Sequence, residues 1–546
     1  MHRWTVFNEE INGNLVRVRP VGSVCHGIEF DEMACASVKS STHNSLWRIS
    51  EPGALQATNW ESEHGFGSCV IDSSKDTPCR QGRIPYYAVM AQTPQHIQTA
   101  IQFARHHNLR VAIRNTGHDA IGRSSGRGSL QINVSGLKGI HFLDDFIPQG
   151  GYESQGQAVT VGAGVLGIEL LTASRIQGVN VVTGTCSSVA ATGGYLQGGG
   201  TSMLGPAYGM ASDNALEFHV ITAMGDTIVV NQYQNTDLFW SLRGGGGGTF
   251  GVVVNTTIRT FPDVPAVHFL LSSTIHRDTE TSLDAEQSLW EITAEIAKLL
   301  PDLKRFNNAT SSIIVPIRME DRVTVTAEIL LVNTSDIHSA GTYFTRLIKT
   351  LDSQGFPYTS NLTLYPQLST YLSQQRVLDR AGYGIIEGSV LVSEDLFFHP
   401  DGISDIMLVL SSLQLEVGDS VEIFMCAGGQ VKANKGRVTT ALLPTWREAV
   451  LLLTIRRTLP PSSMIQRMRN SQLPRLRSLE SPYLGSYLNV ADPDEPDFRK
   501  AFWGDHYSRL YQIKHDRDPN GLFIVRIGVG SEDWDMDGIC QFSKMQ

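Results

Sequence analysis

The sequence predicts an α+β protein with more than one domain, and three observations support this fold class. Its 546 residues, of which 41% are hydrophobic and 18% charged, suffice for two or three packed domains. A strand–helix–strand unit begins at Ile84, and long strand candidates alternate with helical stretches between Val264 and Pro474. We therefore expect a mixed first domain, followed by a second domain with a large antiparallel sheet backed by helices.

Charge, hydropathy and motif content exclude several functional classes. The net charge is −10 and the isoelectric point is about 5.9, which disfavours binding to phosphate backbones. No run approaches the roughly 18–20 apolar residues that span a bilayer. The sequence also lacks H-E-x-x-H, paired C-x-x-C and an ordered G-x-S-x-G triad. We expect neither nucleic acid nor membrane as a partner, no metal site and no serine hydrolase.

Residues 1–80 are rich in turn formers and predict an irregular N-terminal extension held by its cysteines. Cys25 with Cys35, and Cys69 with Cys79, bracket loop-like sequence as short disulfides do. The start lacks the apolar run of a signal peptide, so either a signal has been removed or the protein stays inside. The disulfides favour removal, and we expect a secreted protein or one of the secretory-vesicle lumen. Five N-x-S/T sequons point the same way, at Asn133, Asn255, Asn308, Asn333 and Asn361.

The first domain, residues 81–263, opens with an apolar strand and a well-capped helix. Thr93 is placed to cap this helix, with Pro94 at its first position and apolar residues along one face. A strand is predicted at 110–113, and a further helix at 167–176. The second domain, residues 264–480, contains the long strands and a helix at 284–300. The tail, residues 481–546, contains a helix bounded by turns and is expected to pack back on the first domain.

A glycine-rich turn follows the strand at 110–113. Glycine lets successive backbone N–H groups point into one concavity, which can hold a diphosphate without a basic cluster. The alternative is an ordinary loop with a surface histidine, but a second glycine cluster argues against it. The candidate cofactor-binding residues here are Arg114, Asn115, Thr116, Gly117, His118, Asp119, Gly122, Arg123 and Ser124.

The second cluster, residues 184–200, strings small residues together, as backbone lying against a planar cofactor requires. Cys186 is either the odd thiol of seven or a thiol attached to something other than cysteine. A third glycine run, from Leu242, predicts a turn under the cofactor. The letters G-A-G-V-L-G at 162–167 match a dinucleotide fingerprint, but no acidic residue follows at the required distance. The candidates in the cluster are Gly193, Gly194, Gly198, Gly199 and Gly200.

The motifs NTGHDAIGRSSG, GTCSSVAATGGYLQGGG, LFWSLRGGGGGTFG, YLNVADP and FWGDHYSRLYQIK together resemble the vanillyl-alcohol-oxidase superfamily. Within it the chain resembles the berberine-bridge-enzyme-like branch, and its fungal secreted members most. The resemblance covers nearly the whole chain. It implies that residues 81–263 form a two-lobed FAD-binding domain of the PCMH type and that residues 264–480 bind substrate.

The resemblance also implies a covalent flavin. In the family, the histidine that matches His118 bonds the flavin 8α-methyl group, and the cysteine that matches Cys186 bonds flavin C6. The valine that matches Val189 is associated with oxygen access, so the chain resembles an oxidase. Hydride would pass from a small organic substrate to flavin N5, and O2 would reoxidise the flavin to give H2O2. Ala190 replaces the usual family glycine, and Asn489 is followed by Val490 where a polar group is common.

Because that polar group is missing, the catalytic base must come from another residue. A phenol can serve if its pKa is lowered, and the candidates are Tyr195, Tyr487 and Tyr507, with His506 behind them. Substrate contacts are expected from residues 422–430 and 442–447. The function expected is an FAD oxidase of fungal secondary metabolism. Alternatives are an oxidative cyclase of alkaloid or polyketide biosynthesis, an alcohol or oligosaccharide oxidase, and a binding protein that has lost its flavin.

Overall fold

Three main sheets and one two-stranded sheet organise the chain. They are seen in a computed structural model that describes residues 2–61, 69–277, 282–374, 381–458 and 462–542. Helices and strands are mixed throughout, and the largest sheet is antiparallel, so the predicted α+β class is confirmed. Among the described helices, none combines the length and apolar character that crossing a bilayer requires.

The N-terminal extension is more ordered than predicted. Phe7 is buried and stacks on Phe103 at 4.0 Å, while Trp4 stacks on Tyr87 at 4.3 Å. These tertiary contacts stabilise a first helix whose own periodicity is weak. Both expected disulfides are present, Cys25–Cys35 and Cys69–Cys79. The elements of the extension are α1 (His2–Glu10), β1 (Leu15–Arg17), α2 (Glu32–Ser41) and α3 (Ser45–Ser50).

The first lobe is a four-stranded sheet in the order β1-β2-β4-β3. Its elements are β2 (Tyr87–Met90), α4 (Pro94–His106), β3 (Val111–Arg114) and β4 (Leu130–Asn133). The Thr93 hydroxyl accepts from the His96 N–H, and Pro94 occupies the first turn, so the predicted helix start is confirmed. Since β2, β3 and β4 are parallel, the glycine-rich turn after β3 leaves at the edge where such sheets bind ligands.

The second lobe is a five-stranded antiparallel sheet in the order β5-β6-β10-β8-β9. The strands of this sheet are β5 (Ile140–Leu143), β6 (Ala158–Gly162), β8 (Ala215–Ile221), β9 (Thr227–Asn231) and β10 (Val252–Arg259). Two further strands, β7 (Val179–Asn180) and β11 (Phe261–Pro262), form the two-stranded sheet. The helices of the lobe are α5 (Gly167–Ile176), α6 (Gly194–Gln197), α7 (Gly205–Tyr208) and α8 (Thr236–Ser241). Because β6 is antiparallel to both neighbours, the turn at 162–167 does not belong to a parallel dinucleotide-binding unit.

The third sheet has seven antiparallel strands in the order β15-β12-β14-β13-β17-β18-β16. The strands are β12 (Ala266–His276), β13 (Thr310–Arg318), β14 (Arg322–Val332), β15 (Thr359–Tyr365), β16 (Ile385–Ser393), β17 (Ser420–Met425) and β18 (Ala449–Thr458). The helix expected at 284–300 is present as two helices, α9 (Ser282–Ala297) and α10 (Leu300–Phe306). The other helices are α11 (Ile337–Gln354), α12 (Leu368–Gln374), α13 (Glu394–Phe398), α14 (Gly402–Ser411), α15 (Gly429–Ala433), α16 (Ser462–Arg467) and α17 (Leu473–Arg477).

The two faces of this sheet have different neighbours. Helices α9, α11 and α14 cover one face with an apolar layer that includes Leu289, Phe344 and Ile406. Residues of the opposite face, such as Phe424 and Leu452, join the apolar cluster of the second lobe. This opposite face therefore lies at the junction between the two domains.

The tail lies against the first domain. Its helices are α18 (Phe498–Trp503) and α19 (Tyr507–Arg517). The Trp503 indole donates to the Gly244 carbonyl at 3.0 Å, and the buried Lys514 ammonium donates to the Thr249 carbonyl at 2.8 Å. These contacts hold the third glycine run in place from behind.

Candidate active site

A cavity of about 700 Å³ lies between the two lobes and the seven-stranded sheet. It borders the face of that sheet that α9, α11 and α14 leave uncovered, called the open face below. One end is lined by the glycine-rich segments, and the other by strand side chains. The cavity brings together most of the predicted site residues: Asn115, Thr116, Gly117, His118, Asp119, Arg123, Ser124, Cys186, Val189, Gly193, Gly194, Tyr195, Tyr487 and Asn489.

The turn after β3 is organised by Asp119. Its carboxylate accepts from the Ser124 N–H at 2.6 Å and lies 3.5 Å from the Arg123 guanidinium. Arg123 also donates to the Asn489 side-chain carbonyl at 2.9 Å. Asp119 thus fixes the turn, and Arg123 connects the turn to the C-terminal tail.

His118 and Cys186 reach the cavity from different segments. His118 Nε2 lies 2.6 Å from the hydroxyl of Ser188, two residues after Cys186. This hydrogen bond ties the histidine turn to the cysteine segment. Ser188 was not among the predicted site residues, because a serine in a run of small residues gives no distinctive signal.

The second and third glycine runs meet backbone to backbone. A Cβ built at Gly247 would lie 2.8 Å from the Gly194 Cα, whereas a Cβ at Gly194 would meet no atom within 4 Å. Both residues line the cavity. Glycine is therefore required at 247 by close approach, and the missing side chain at 194 leaves room in the cavity.

Several cavity-lining polar atoms have no hydrogen-bond partner among the described residues. They are Asn115 Oδ1, Arg123 Nη1, Ser124 Oγ and Gln197 Oε1. Buried polar groups normally find partners, so these atoms point to a ligand. A guanidinium and a hydroxyl suit a phosphate, and two amide oxygens suit ring N–H donors. The residues present therefore fit FAD.

Arg114 and Gly122 do not line the cavity, and their role in cofactor binding stays a prediction. The buried Arg114 guanidinium donates to the Glu51 carbonyl at 2.7 Å and to the Arg48 carbonyl at 2.6 Å. Gly122 has φ +79°, and a Cβ there would lie 2.5 Å from the Trp60 ring. Both residues instead fasten the N-terminal extension to the first lobe.

The three consecutive glycines 198–200 also lie outside the cavity lining. A Cβ at Gly199 would lie 2.7 Å from Leu442, and one at Gly200 would lie 2.5 Å from Ala211. At Gly198 a Cβ would collide with the Asn489 amide. These glycines make room for protein side chains, and their contact with a planar cofactor stays a prediction.

Tyr507 likewise lies outside the cavity lining. Its hydroxyl donates to the Glu532 carboxylate, outside the cavity. Burial and this contact raise the pKa of Tyr507. His506 bonds the Leu442 carbonyl through Nδ1 at 3.0 Å. Residues 442–447 do not line the cavity, whereas Glu422 and Phe424 from the range 422–430 do.

Tyr195 and Tyr487 remain at the cavity wall and differ in their hydrogen bonds. The Tyr195 hydroxyl donates to the Thr201 carbonyl at 3.0 Å. The Tyr487 oxygen accepts from the Asn489 amide at 2.9 Å and from the Thr201 N–H at 3.4 Å. Burial raises the pKa of both phenols, but for Tyr487 these two donors work in the opposite direction. Tyr487 is thus the better equipped to carry negative charge.

Three charged residues of the cavity wall, Glu328, Glu387 and Arg456, were not predicted from the sequence. Each lies on a long strand that is rich in apolar residues. A charged residue on such a strand is costly to bury, and this is the signal by which they could have been found.

Comparison with known proteins agrees with this geometry. The sequence profile of the FAD binding domain matches residues 85–231, and that of berberine and berberine-like proteins matches residues 486–530. The FAD-linked oxidoreductase malF of Malbranchea aurantiaca is 40% identical over 548 residues, which cover 98% of this chain and 91% of that protein.

Two solved structures show the same fold. A VAO-type flavoprotein of Myceliophthora thermophila C1 superposes with a TM-score of 0.85 at 29% identity, over 99% of this chain and 97% of the other. Berberine bridge enzyme of Eschscholzia californica gives 0.66 at 16% identity, over 96% and 98%, a likeness of fold alone. The chain therefore belongs to the vanillyl-alcohol-oxidase superfamily, as an FAD-dependent oxidoreductase of the berberine-bridge-enzyme-like family.

Proposed function

We propose that this protein is an oxidase of fungal secondary metabolism that carries FAD covalently on both His118 and Cys186. The observation that carries the proposal is that both residues line one cavity from separate glycine-rich segments. Two attachment points on different segments would fix a ring system at two edges. When bound, FAD would take a hydride from a small organic substrate and be reoxidised by O2 to give H2O2.

Ser188 would orient the His118 imidazole. Its hydroxyl lies 2.6 Å from Nε2, so it engages one ring nitrogen and directs the ring. Orientation by a second residue is a general requirement for a side chain that must react at one nitrogen. Ser188 acts here as a positioning residue.

Tyr487 would be the catalytic base. Two donors to its oxygen stabilise the phenolate, and the same oxygen lies at the cavity wall. Tyr195 instead donates a hydrogen bond to the Thr201 carbonyl, and its phenolate would have fewer hydrogen-bond donors to stabilise it. A base so placed can take the proton of an alcohol or amine as hydride leaves.

Oxygen as electron acceptor is supported by Val189. This residue lines the cavity and matches the family valine associated with oxygen access. Ala190, also at the wall, replaces the usual family glycine. Replacing Val189 by Leu is expected to slow reoxidation by O2 while leaving flavin reduction by substrate intact, as stopped-flow measurement of the two half-reactions will reveal.

Acid precipitation tests the covalent bonds directly. Yellow colour should stay in the pellet of the wild type, of His118→Ala and of Cys186→Ala, and should be lost only from the double variant. Cys540→Ala, at an exposed thiol away from the cavity, is the matched control. Release of flavin from the wild type would refute bicovalent attachment, and absence of peroxide on turnover would refute the oxidase.

Passage through the secretory pathway is a separate proposal. Two disulfides support it, as do the exposed sequons at Asn308, Asn333 and Asn361. Asn133 is buried in β4, so glycan attachment to the folded chain is not expected there. Treatment of the protein from its native host with an N-glycosidase should lower its apparent mass.

A further inference from the structure

The open face of the seven-stranded sheet carries an unusual set of charges. Glu328 on β14, Glu422 on β17, Arg456 on β18 and Glu387 on β16 all line the cavity. Strand register explains why they share a face: Ser420 pairs with Arg456, which pairs with Glu387, and Glu422 lies two residues from Ser420.

The charges on this face do not cancel. Glu387 and Arg456 form an ion pair, and Arg456 also attracts Glu422. Glu422 is half-buried at the cavity wall. With three carboxyl groups and one guanidinium, this face carries an excess of potential negative charge.

The neighbourhood of these carboxyl groups is apolar. Ile313 lies directly between Glu328 and Phe424 in the sheet register, and Leu270 pairs with Glu328 on the other side. All three apolar residues line the cavity. Burial accordingly raises the pKa of Glu422 and of Glu328.

The charged residues of the open face lie beside the proposed flavin site. Arg456 is within electrostatic reach of Cys186, as well as of Glu387 and Glu422. A molecule held against Glu422 would therefore lie near the proposed cysteine attachment point.

We propose that the cavity selects a substrate with an apolar body and a protonated amine, with Glu422 as its main counter-ion and Glu328 as the second. This inference rests on the proposed function, because it takes the oxidised substrate and the flavin to share this cavity. A cation compensates a buried carboxylate and satisfies its oxygens through charged hydrogen bonds. A carboxylate ligand would be repelled, and a neutral alcohol would leave the excess negative charge of this face without a counter-ion.

Three probes with one indole body and different head groups test the inference: tryptamine, tryptophol and indole-3-propionate. Calorimetric titration of the holoprotein should give the amine an affinity about ten- to a hundred-fold above that of the alcohol, and no binding of the acid. Glu422→Gln should abolish the preference, and Glu328→Gln should reduce it. Glu320→Gln, on an exposed loop, is the matched control and should leave it unchanged.

The pH dependence gives a test that needs no variant. Ionised Glu422 and Glu328 bind the cation, so affinity for the amine should fall as pH drops through their raised pKa values. Affinity for the alcohol should change little. The other ionisable groups at the wall are Glu387, Arg456, Asp119, Arg123, Cys186, His118, Tyr195 and Tyr487, with Tyr371 behind Glu328.

The outcomes separate this inference from the proposed function. Flavin retention is measured on the same samples by acid precipitation. Retained flavin with no preference for the amine, or a preference that persists in the Glu328→Gln, Glu422→Gln double variant, overturns the amine inference and leaves covalent attachment standing. Release of flavin together with a Glu422-dependent preference overturns covalent attachment and leaves the amine inference standing.

Discussion

Tyr195 and Tyr487 have the same side chain but make different hydrogen bonds at this site. Tyr195 gives its proton to a backbone carbonyl, whereas Tyr487 receives two donors on its oxygen. The donors favour the phenolate and burial opposes it. The chemistry available to each phenol therefore depends on residues such as Asn489, which shifts the balance without itself accepting the proton.

Tyr487→Phe is expected to lower kcat by about 10²–10⁴-fold, the usual contribution of a general base. Because the pKa of Tyr487 is raised, the wild-type rate should increase with pH towards alkaline values, and the variant should lose this dependence. Tyr195→Phe should cost less. Tyr507→Phe, outside the cavity, should keep the wild-type pH profile, and if it instead reproduces the Tyr487→Phe profile, the assignment is wrong.

Ser188→Ala in the Cys186→Ala background should slow or reduce flavin attachment to His118. The reason is the loss of the hydrogen bond to Nε2 that orients the ring. The flavin to protein ratio after denaturation, followed through time with added FAD, measures this. Ser187→Ala, at the adjacent residue, is the control. Equal attachment rates in the two variants would remove Ser188 from the proposal.

The positions at the cavity that the sequence could predict are those that belong to distinctive motifs. His118 and Cys186 belong to distinctive glycine-rich motifs, and both line the cavity. Gly198 belongs to the same motif yet packs on Asn489, a contact between positions far apart in sequence. The position of Tyr507 outside the cavity could not be predicted for a related reason, since its contact with Glu532 forms only in the folded tail.

At the scale of elements, the most informative pattern in the sequence was the alternation of long strand candidates with helical stretches. It predicted the antiparallel sheet of the second domain, and the structure shows one face covered by helices and the other lining the cavity. The N-terminal helix α1 was missed because tertiary contacts of Phe7 stabilise it. The domain boundaries at 80, 263 and 480 stay predictions.

Helix α10 buries a lysine with a consequence for stability. Lys304 is 2% exposed and donates to the Thr310 and Ala427 carbonyls. Burial lowers its pKa from 10.5 to about 7, although Cys426 and Glu394 oppose the shift. Between these two values the unfolded chain binds a proton that the folded chain does not. Stability therefore falls as pH drops from about 10.5 to 7.

Lys304→Met should consequently be more stable than the wild type at pH 7, by roughly 1–3 kcal/mol of unfolding free energy. The advantage should shrink as pH rises and vanish above the unfolded-state pKa of 10.5, where the wild-type lysine is neutral in both states. Urea unfolding at several pH values measures this. Lys298→Met, at a half-exposed lysine, should give no comparable pH-dependent gain in unfolding free energy.

For the whole molecule, one buried ion pair joins the two domains. Asp213, in the first domain, accepts from Arg447 at 2.6 and 2.7 Å and from Asn434 at 2.9 Å. Both charged side chains are less than a tenth exposed. Since the cavity lies at the same junction, this contact helps to hold its walls at their separation.

Asp213→Asn should lower the free energy of unfolding by about 3–5 kcal/mol, because Arg447 is left buried without its counter-ion. The exposed pair Lys435–Glu448 offers the control, and Glu448→Gln should cost less than about 1 kcal/mol. Denaturant unfolding measures both. Equal losses would mean that the Asp213 contact does not support the junction.

The cavity wall draws on residues from Gln56 to Val490, close to both ends of the chain. Contacts between such distant segments form slowly, because each must first close a long loop. We therefore expect the cavity to be among the last parts of the molecule to form during folding. A prosthetic group that binds only in the completed cavity would be present only in molecules that have finished folding. The ratio of yellow colour to total protein would then count the correctly folded fraction of any preparation, batch by batch.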